Sequence, residues 1–358
     1  MTKVVLSVVG EVELKRRYYA CRTCRENQTP LDAWAGMVAG KCTPATRRML
    51  ALAGMSFSFD TAAERLAELC LLKVSNDTVR RVSEEEGQAA KKFLATSDAP
   101  AKAFAKGKGD VEFYTDGVTV NTTQGWRDLR VSVFDKRQAG EPATPQDWAK
   151  RVLPPPTVRV AWASMAACEQ QGIAWKNQGD KLGVTDGQLS VLADGAKWIW
   201  DQAAQCWRNA DWVLDVFHVS EHIHDCGKAI HGGPAGDTQA RVWSEAQVQS
   251  LIEDGPVRYV KDLKAFAALH RDPAKLAALE SLLNYLTPHV DSMWYRQRLA
   301  QGRPIGSGLI EGANKTIVSN RLKLNSARWT PEHAEQISAL RCLDYSGLWT
   351  DFWLERTG

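Results

Sequence analysis

The chain has 358 residues, 44% hydrophobic and 24% charged, with a formal net charge of +3. That length predicts two or three domains of ordinary soluble globular composition. The net charge is too small to argue for nucleic acid by itself. No run of about 18 apolar residues marks a membrane span, and eight mostly scattered cysteines suit a reducing cytoplasm better than a disulfide framework.

The opening, MTKVVLSVVGEVELKRRYYAC, alternates apolar and polar residues and meets acids early. It reads as a β-ribbon and not as a signal peptide. It leads into Cys21-Arg-Thr-Cys24, half of a zinc-ribbon site, because zinc takes four tetrahedral ligands, often as two such knuckles. The nearest other thiol is Cys42, and no histidine precedes His218. Zinc on Cys21 and Cys24 and an orphaned half-site both remain open. Residues 1–44 form this unit.

Residues 45–93 read as helical. One helix starts at Thr46 and ends at Gly54. A second runs from Phe59 to Cys70, with Asp60 or Thr61 as its cap. A third is capped by Ser75. Short helix, turn and capped helix with Arg80 and Arg81 exposed is a helix-turn-helix pattern, although any three-helix bundle reads alike. Residues 94–110, ATSDAPAKAFAKGKGD from Ala95 on, read as a linker.

The period then changes. Strands are predicted at Val111–Val120, Trp126–Phe134, Val158–Ser164, Leu189–Asp194 and Trp212–Phe217, with a loop over 135–156 and helices after the third, fourth and fifth strands. This order is ribonuclease-H-like: a mixed five-stranded α/β sheet flanked by helices, with its first part at 111–239. Amphipathic helices over 240–300 form an insertion, and 301–358 carries a helix at Ser307–Asn320 and further basic C-terminal helices.

Three acids stand out: Asp116 in FYTDGVTV, Asp194 in VLADGAKWIW and Glu311 in PIGSGLIEGANK. Two strand-borne aspartates and a helix-borne glutamate are what a two-metal phosphoryl-transfer site requires, with carboxylates holding two magnesium or manganese ions about 3.5–4 Å apart. In the ribonuclease-H-like order Asp116 and Asp194 converge. Each also has a plainer reading. Asp-Gly starts turns, an aspartate before a helix caps it, and a first-turn glutamate favours the helix dipole. Arg296 to Arg328 holds seven Lys/Arg and one acid, Glu311, as suits a protein gripping phosphates beside a metal site. Within it Lys315, Arg321, Lys323 and Arg328 are expected on backbone phosphates.

The segments Asp116-Gly117, Leu192-Ala-Asp-Gly-Ala-Lys-Trp-Ile-Trp200, Asp215-Val-Phe-His218 and Pro304-Ile-Gly-Ser-Gly-Leu-Ile-Glu-Gly-Ala-Asn-Lys315, continuing through Asn320-Arg-Leu-Lys-Leu324 and Ala327-Arg-Trp329, resemble bacterial insertion-sequence transposases of the ISKra family, distant relatives of Mutator-like transposases. The Cys21–Cys24 knuckle with Pro30-Leu-Asp32 matches as well, so the resemblance covers nearly the whole chain. It implies a metal-dependent DDE transposase with a ribonuclease-H-like core. Asp116, Asp194 and Glu311 would be its metal-binding carboxylates, with Asp215 and His218 beside them. It further implies double-stranded DNA partners (terminal inverted repeats and target), a homodimer or higher oligomer on DNA, and a cytoplasmic, nucleoid-associated protein. Family members usually carry a further upstream cysteine pair, which leaves zinc, terminal-repeat recognition and full activity in question here. A truncated remnant that only binds DNA and a ribonuclease-H-like nuclease or resolvase are the rivals.

His218 and His222 lie one helical turn apart, as metal pairs do, yet no third ligand is evident. A hydrogen bond from His218 to a carboxylate or phosphate is the expectation. Trp198 and Trp200 read first as core, and second as rings on which an unpaired base could stack.

Overall fold

A computed structural model describes residues 1–37, 41–232 and 236–357. Among them no helix is long and apolar enough to cross a membrane. The predicted ribbon is β1 (Thr2–Ser7) against β2 (Gly10–Lys15), antiparallel, followed by a short pair, β3 (Tyr19–Ala20) and β4 (Asn27–Gln28), with Cys21 and Cys24 in the turn between them. A one-turn helix, α1 (Pro30–Trp34), leads on to α2 (Pro44–Ser56), α3 (Phe59–Cys70) and α4 (Asn76–Thr96). Ser75 caps α4 as expected, whereas Ser58 caps α3 through the Thr61 N–H, in place of Asp60 or Thr61.

Gly54 does not end α2. It lies inside that helix, where a Cβ would come within 2.0 Å of Ser83 Oγ on α4. The glycine permits a close crossing of the two helices and is no stop signal. Residues 94–110 are not a structureless linker either. They hold the end of α4 and a separate helix, α5 (Ala99–Lys106), with Pro100 in its first turn and Phe104 buried against the sheet.

The central sheet has five strands: β5 (Asp110–Thr122), β6 (Gly125–Arg137), β7 (Val158–Ser164), β8 (Leu189–Ala193) and β9 (Asp211–Leu214). Its order is β7-β6-β5-β8-β9, with the first three antiparallel and β5, β8 and β9 mutually parallel. It is a mixed sheet, and the fifth strand stops three residues short of the predicted Phe217.

Strand alternation sorts the core into two layers. Phe113, Phe134, Val160 and Val191 face a layer closed by α5, α6 (Cys168–Leu182) and α7 (Lys197–Cys206). Tyr114, Val133, Ala161 and Leu192 face the opposite layer. That layer holds α4, α8 (Val216–His231) and a helical stretch made of α9 (Gly236–Asp254), α10 (Pro256–Ala268) and α11 (Pro273–Leu286). α12 (Tyr295–Ala300) ends this stretch.

The segment expected as one helix over Ser307–Asn320 is α13 (Gly308–Asn314), a π-helical turn at Lys315–Ser319 and a short α14 (Asn320–Leu322). α15 (Pro331–Tyr345) then crosses the core, and α16 (Trp349–Thr357) follows.

Gly87 on α4 faces α15 so closely that a Cβ would stand 2.4 Å from the Gln336 carbonyl oxygen. Backbone cannot yield as a side chain can. Gly87→Ala is therefore expected to cost roughly 1–3 kcal/mol as overpacking, read by urea denaturation. Gly187→Ala, with nothing near its Cβ position, is expected to cost less than about 0.5 kcal/mol. Equal stability of the two variants would refute the close α4–α15 crossing.

Candidate active site where the parallel strand pairing ends

The last pair of the β5–β8 ladder is Tyr114 with Leu192, and the last pair of the β8–β9 ladder is Ala193 with Leu214. Asp116 and Asp194 each lie two residues beyond Tyr114 and Leu192. Asp194 and Asp215 each lie one beyond Ala193 and Leu214. Three aspartates thus lie side by side where the parallel pairing stops, Asp116 inside β5 and Asp194 and Asp215 just past the carboxyl ends of β8 and β9, the side on which open α/β sheets commonly place their ligands. Strand parity puts Asp116 and Asp194 on the face covered by α8.

Asp116 is half-buried. Its Oδ1 accepts the Gly117 N–H at 2.6 Å and its Oδ2 accepts Asn314 Nδ2 of α13 at 2.7 Å. Burial, reinforced by the Asp194 charge, pushes its carboxyl above the usual aspartate range. The Gly117 and Asn314 donors and the nearby His218 pull the other way. Asp194 Oδ1 accepts the Ala196 N–H at 3.0 Å ahead of α7, and its carbonyl accepts the Trp200 indole at 2.6 Å. Asp194 is thus not the N-cap of α7, as its Asp-Gly also allowed; the cap position is Ala196, and Asp194 closes the turn before it.

Asp215 is fully buried. It caps α8 through the Phe217 N–H at 2.9 Å and accepts the Ser307 hydroxyl. His218, one turn on, has Nε2 3.9 Å from Asp215 and Nδ1 3.1 Å from Glu221. Burial opposes its protonation, but Asp215, Asp194 and Glu221 together hold it above the ordinary histidine range. His222 stacks on Tyr285 of α11 at 3.8 Å, and burial lowers its pKa.

Glu311 is exposed on α13, and its carboxylate makes no hydrogen bond or ion pair among the described residues. It joins this edge only through its helix, because Asn314, one turn later, reaches Asp116. No three His, Cys, Asp or Glu side chains among the described residues stand close enough to hold a metal ion. The donor chemistry nonetheless suits a hard divalent cation. Asp116 and Asp194 offer carboxylate oxygens, and the buried Asn314 Oδ1 has no hydrogen-bond partner among the described residues.

The remaining predicted residues separate by burial. Trp198 packs near Trp175 with Arg130 over its ring, and Trp200 stacks on Trp212 at 5.0 Å. Arg80 pairs with Asp77 and Glu84, and Arg81 with Glu85. Lys315, Lys323 and Arg328 are exposed.

Arg321 departs from the expectation of a phosphate contact. It is 2% exposed, donates to the Gly54 carbonyl at 2.8 Å and lies between the Phe59 and Trp329 rings. Burial lowers its pKa to about 10. Its charge serves the joint between α2 and the C-terminal loop. Cys21 and Cys24 are exposed. The Cys24 and Thr23 backbone N–H groups draw the Cys21 thiol down to about 7, as suits a metal knuckle or a reactive thiol.

Asn314 and Ser307 escaped the sequence reading as site residues. The trace of Asn314 is an amide three residues after Glu311 among Ile310, Ala313 and Ile317. Nothing in the sequence marks Tyr285, whose ring lies 2.2 Å from where a Gly195 Cβ would sit. Compared with known proteins, the chain matches no family model and no curated protein.

His218 lowers the proton affinity of Asp116. Removing that cation in His218→Gln should therefore move the Asp116 titration midpoint further up, as followed by carboxyl carbon NMR of labelled protein. A midpoint that stays or falls would mean that the imidazole does not act on Asp116.

Proposed function

We propose that the chain is a DDE transposase with a ribonuclease-H-like catalytic core, cutting and joining DNA at the ends of a mobile element. The observation that carries this is that Asp116 and Asp194 each lie two residues past the last pair of the β5–β8 ladder, with α13, the helix of Glu311, bonded to Asp116 through Asn314. Phosphoryl transfer needs little covalent help from a protein. It needs a positioned phosphate, an in-line nucleophile and neutralised charge.

Asp116 and Asp194, with Asn314 Oδ1 and Glu311, would hold magnesium or manganese. When bound, such ions lower the pKa of the attacking water or hydroxyl and neutralise the leaving oxygen. Asp215 and His218 act on the site indirectly. Asp215 fixes the start of α8 and the approach of α13, and His218 balances the clustered carboxylates. Its second ring nitrogen is committed to Glu221.

The exposed Lys315, Lys323 and Arg328 would grip the DNA backbone and make binding salt-dependent. The α2–α4 unit would serve as a helix-turn-helix, with Arg80 and Arg81 exchanging their acidic partners for phosphates. Joining two ends implies two copies on DNA, in a protein of the bacterial nucleoid. Zinc on Cys21 and Cys24 would need ligands beyond this pair.

With magnesium and a labelled duplex bearing the element's terminal repeat, wild type should cut. Asp116→Ala and Asp194→Ala should lose at least ~10²–10³-fold in rate, as removal of a transition-state charge stabiliser does, while still shifting the duplex in a gel. A substrate with a free 3′-hydroxyl then distinguishes strand transfer from simple nuclease action. Cutting by Asp116→Ala at the wild-type rate would overturn the assignment.

A further inference from the structure

A cavity of about 490 Å³ opens behind α13, walled by Trp148, Arg151, Arg159, Phe217, Gly312 and Tyr345. Its volume falls within the ~300–1,000 Å³ usual for small-ligand sites. It adjoins the aspartate edge directly. Phe217 on its wall donates its N–H to Asp215, and a Cβ on Gly306, also on the wall, would meet both the Phe217 ring and Asp215 Oδ1.

Two features define what could fill it. The first is cationic. Arg137, on the same wall, is committed to Glu112 at 3.2 Å and Asp135 at 3.4 Å. Arg151 donates to the Arg303 carbonyl at 2.7 Å, and Arg159 lies over the Tyr345 ring at 4.2 Å. Neither has a carboxylate within ion-pair distance among the described residues, although the field of Asp135 reaches Arg159. Burial, with the neighbouring Arg298 and Arg137 charges, lowers the Arg151 pKa to about 10, and the field of Glu112 offsets this only in part.

The second feature is aromatic. Trp148 and Phe217 lie 5.9 Å apart with their planes tilted by 48°, and Phe217 is 47% exposed. The floor is open because Gly308 and Gly312 carry no side chain, and a Cβ on either would meet nothing within 4 Å. Guanidinium groups bind phosphate and aromatic rings stack on bases, so the chemistry selected is that of a nucleoside monophosphate.

We propose that this cavity receives one unstacked nucleotide of the DNA, its base against Trp148 and Phe217 and its phosphate on Arg151 and Arg159. The proposal rests on the DNA-processing reading above. A nucleotide held there would lie beside Asp215 and fix the strand relative to Asp116 and Asp194. An already unpaired nucleotide should be preferred, because a paired one must first be unstacked at a cost.

The test uses the full chain and three probes: a blunt duplex, the same duplex with a single-nucleotide 2-aminopurine bulge, and free 2-aminopurine deoxyribonucleoside monophosphate. Binding is followed by anisotropy and 2-aminopurine fluorescence. Wild type is expected to bind the bulged duplex roughly tenfold more tightly than the blunt one, a ratio in keeping with stacking of one base on an aromatic side chain. Gly312→Leu, which fills the floor, and Trp148→Ala should each bring that ratio to about one, with thermal unfolding confirming that both variants fold.

A ratio retained in both folded variants would overturn the proposal. So would equal binding of bulged and blunt duplexes by wild type, and that result leaves the transposase reading standing. Tight binding of the free nucleotide without bulge preference would reassign the cavity to a soluble ligand and also overturn it. Failure to bind any duplex would remove the DNA reading itself, and this proposal with it.

Discussion

The buried carboxylate of Asp215 is the constraint on which the sheet edge depends. With no exposure to solvent it must be satisfied internally. It takes the Phe217 N–H and the Ser307 hydroxyl, while the Val216 N–H donates to the Ile305 carbonyl at 3.0 Å. These bonds join the end of β9, the start of α8 and the approach to α13 in one knot. Residues 92 positions apart are held together there, and Asn314 is thereby brought over Asp116. Arg298 reinforces the knot from behind, donating to the Pro304 carbonyl at 2.7 Å and pairing with Asp211.

The same geometry concentrates negative charge. Asp116, Asp194 and Asp215 share one edge, with the His218 imidazole 3.9 Å from Asp215. That fold is expensive unless something else supplies positive charge, and the upward displacement of the Asp116 pKa by burial and by Asp194 registers the cost. Structural ion-pair networks can also shift pKa values, but they end in partners. Here the Asn314 amide oxygen is buried with none among the described residues. An edge that gathers acids beside an unmet amide oxygen is the feature on which the proposed cation site rests.

What the sequence disclosed follows its periodicities. The five strands, their order and the convergence of Asp116 with Asp194 were legible because alternation marks strands, and connection lengths leave few ways to arrange them. The failures have a common cause in tertiary contact. Gly54 resembles a helix terminator, yet it lies within α2 because Ser83 crosses there. ATSDAPAKAFAKGKGD has a linker's composition, yet Phe104 finds a hydrophobic layer and α5 forms to bury it. The π-helical turn after Asn314 is not encoded by any local signal. Asn314 itself sits among apolar residues, and its bond to Asp116 joins positions 198 apart, which no local pattern reports.

Arg321 shows how a basic stretch can mislead. Seven cations between Arg296 and Arg328 look like one phosphate-binding surface, but burial divides them. Arg298 and Arg321 are nearly sealed, each satisfying backbone carbonyls that would otherwise be orphaned. Lys315, Lys323 and Arg328 stay in solvent. The division follows side-chain chemistry in part. A guanidinium can be buried between rings and carbonyls because its planar fork stacks and donates at once, whereas an ammonium is more strongly hydrated and resists burial. The two lysines remain on the surface and the two deepest positions are arginines. Arg303 is half-buried and paired with Asp110, and Arg296 is exposed, so any grip on DNA from this stretch falls on Arg296, Lys315, Lys323 and Arg328, the last three flanking the helix of Glu311 on its C-terminal side.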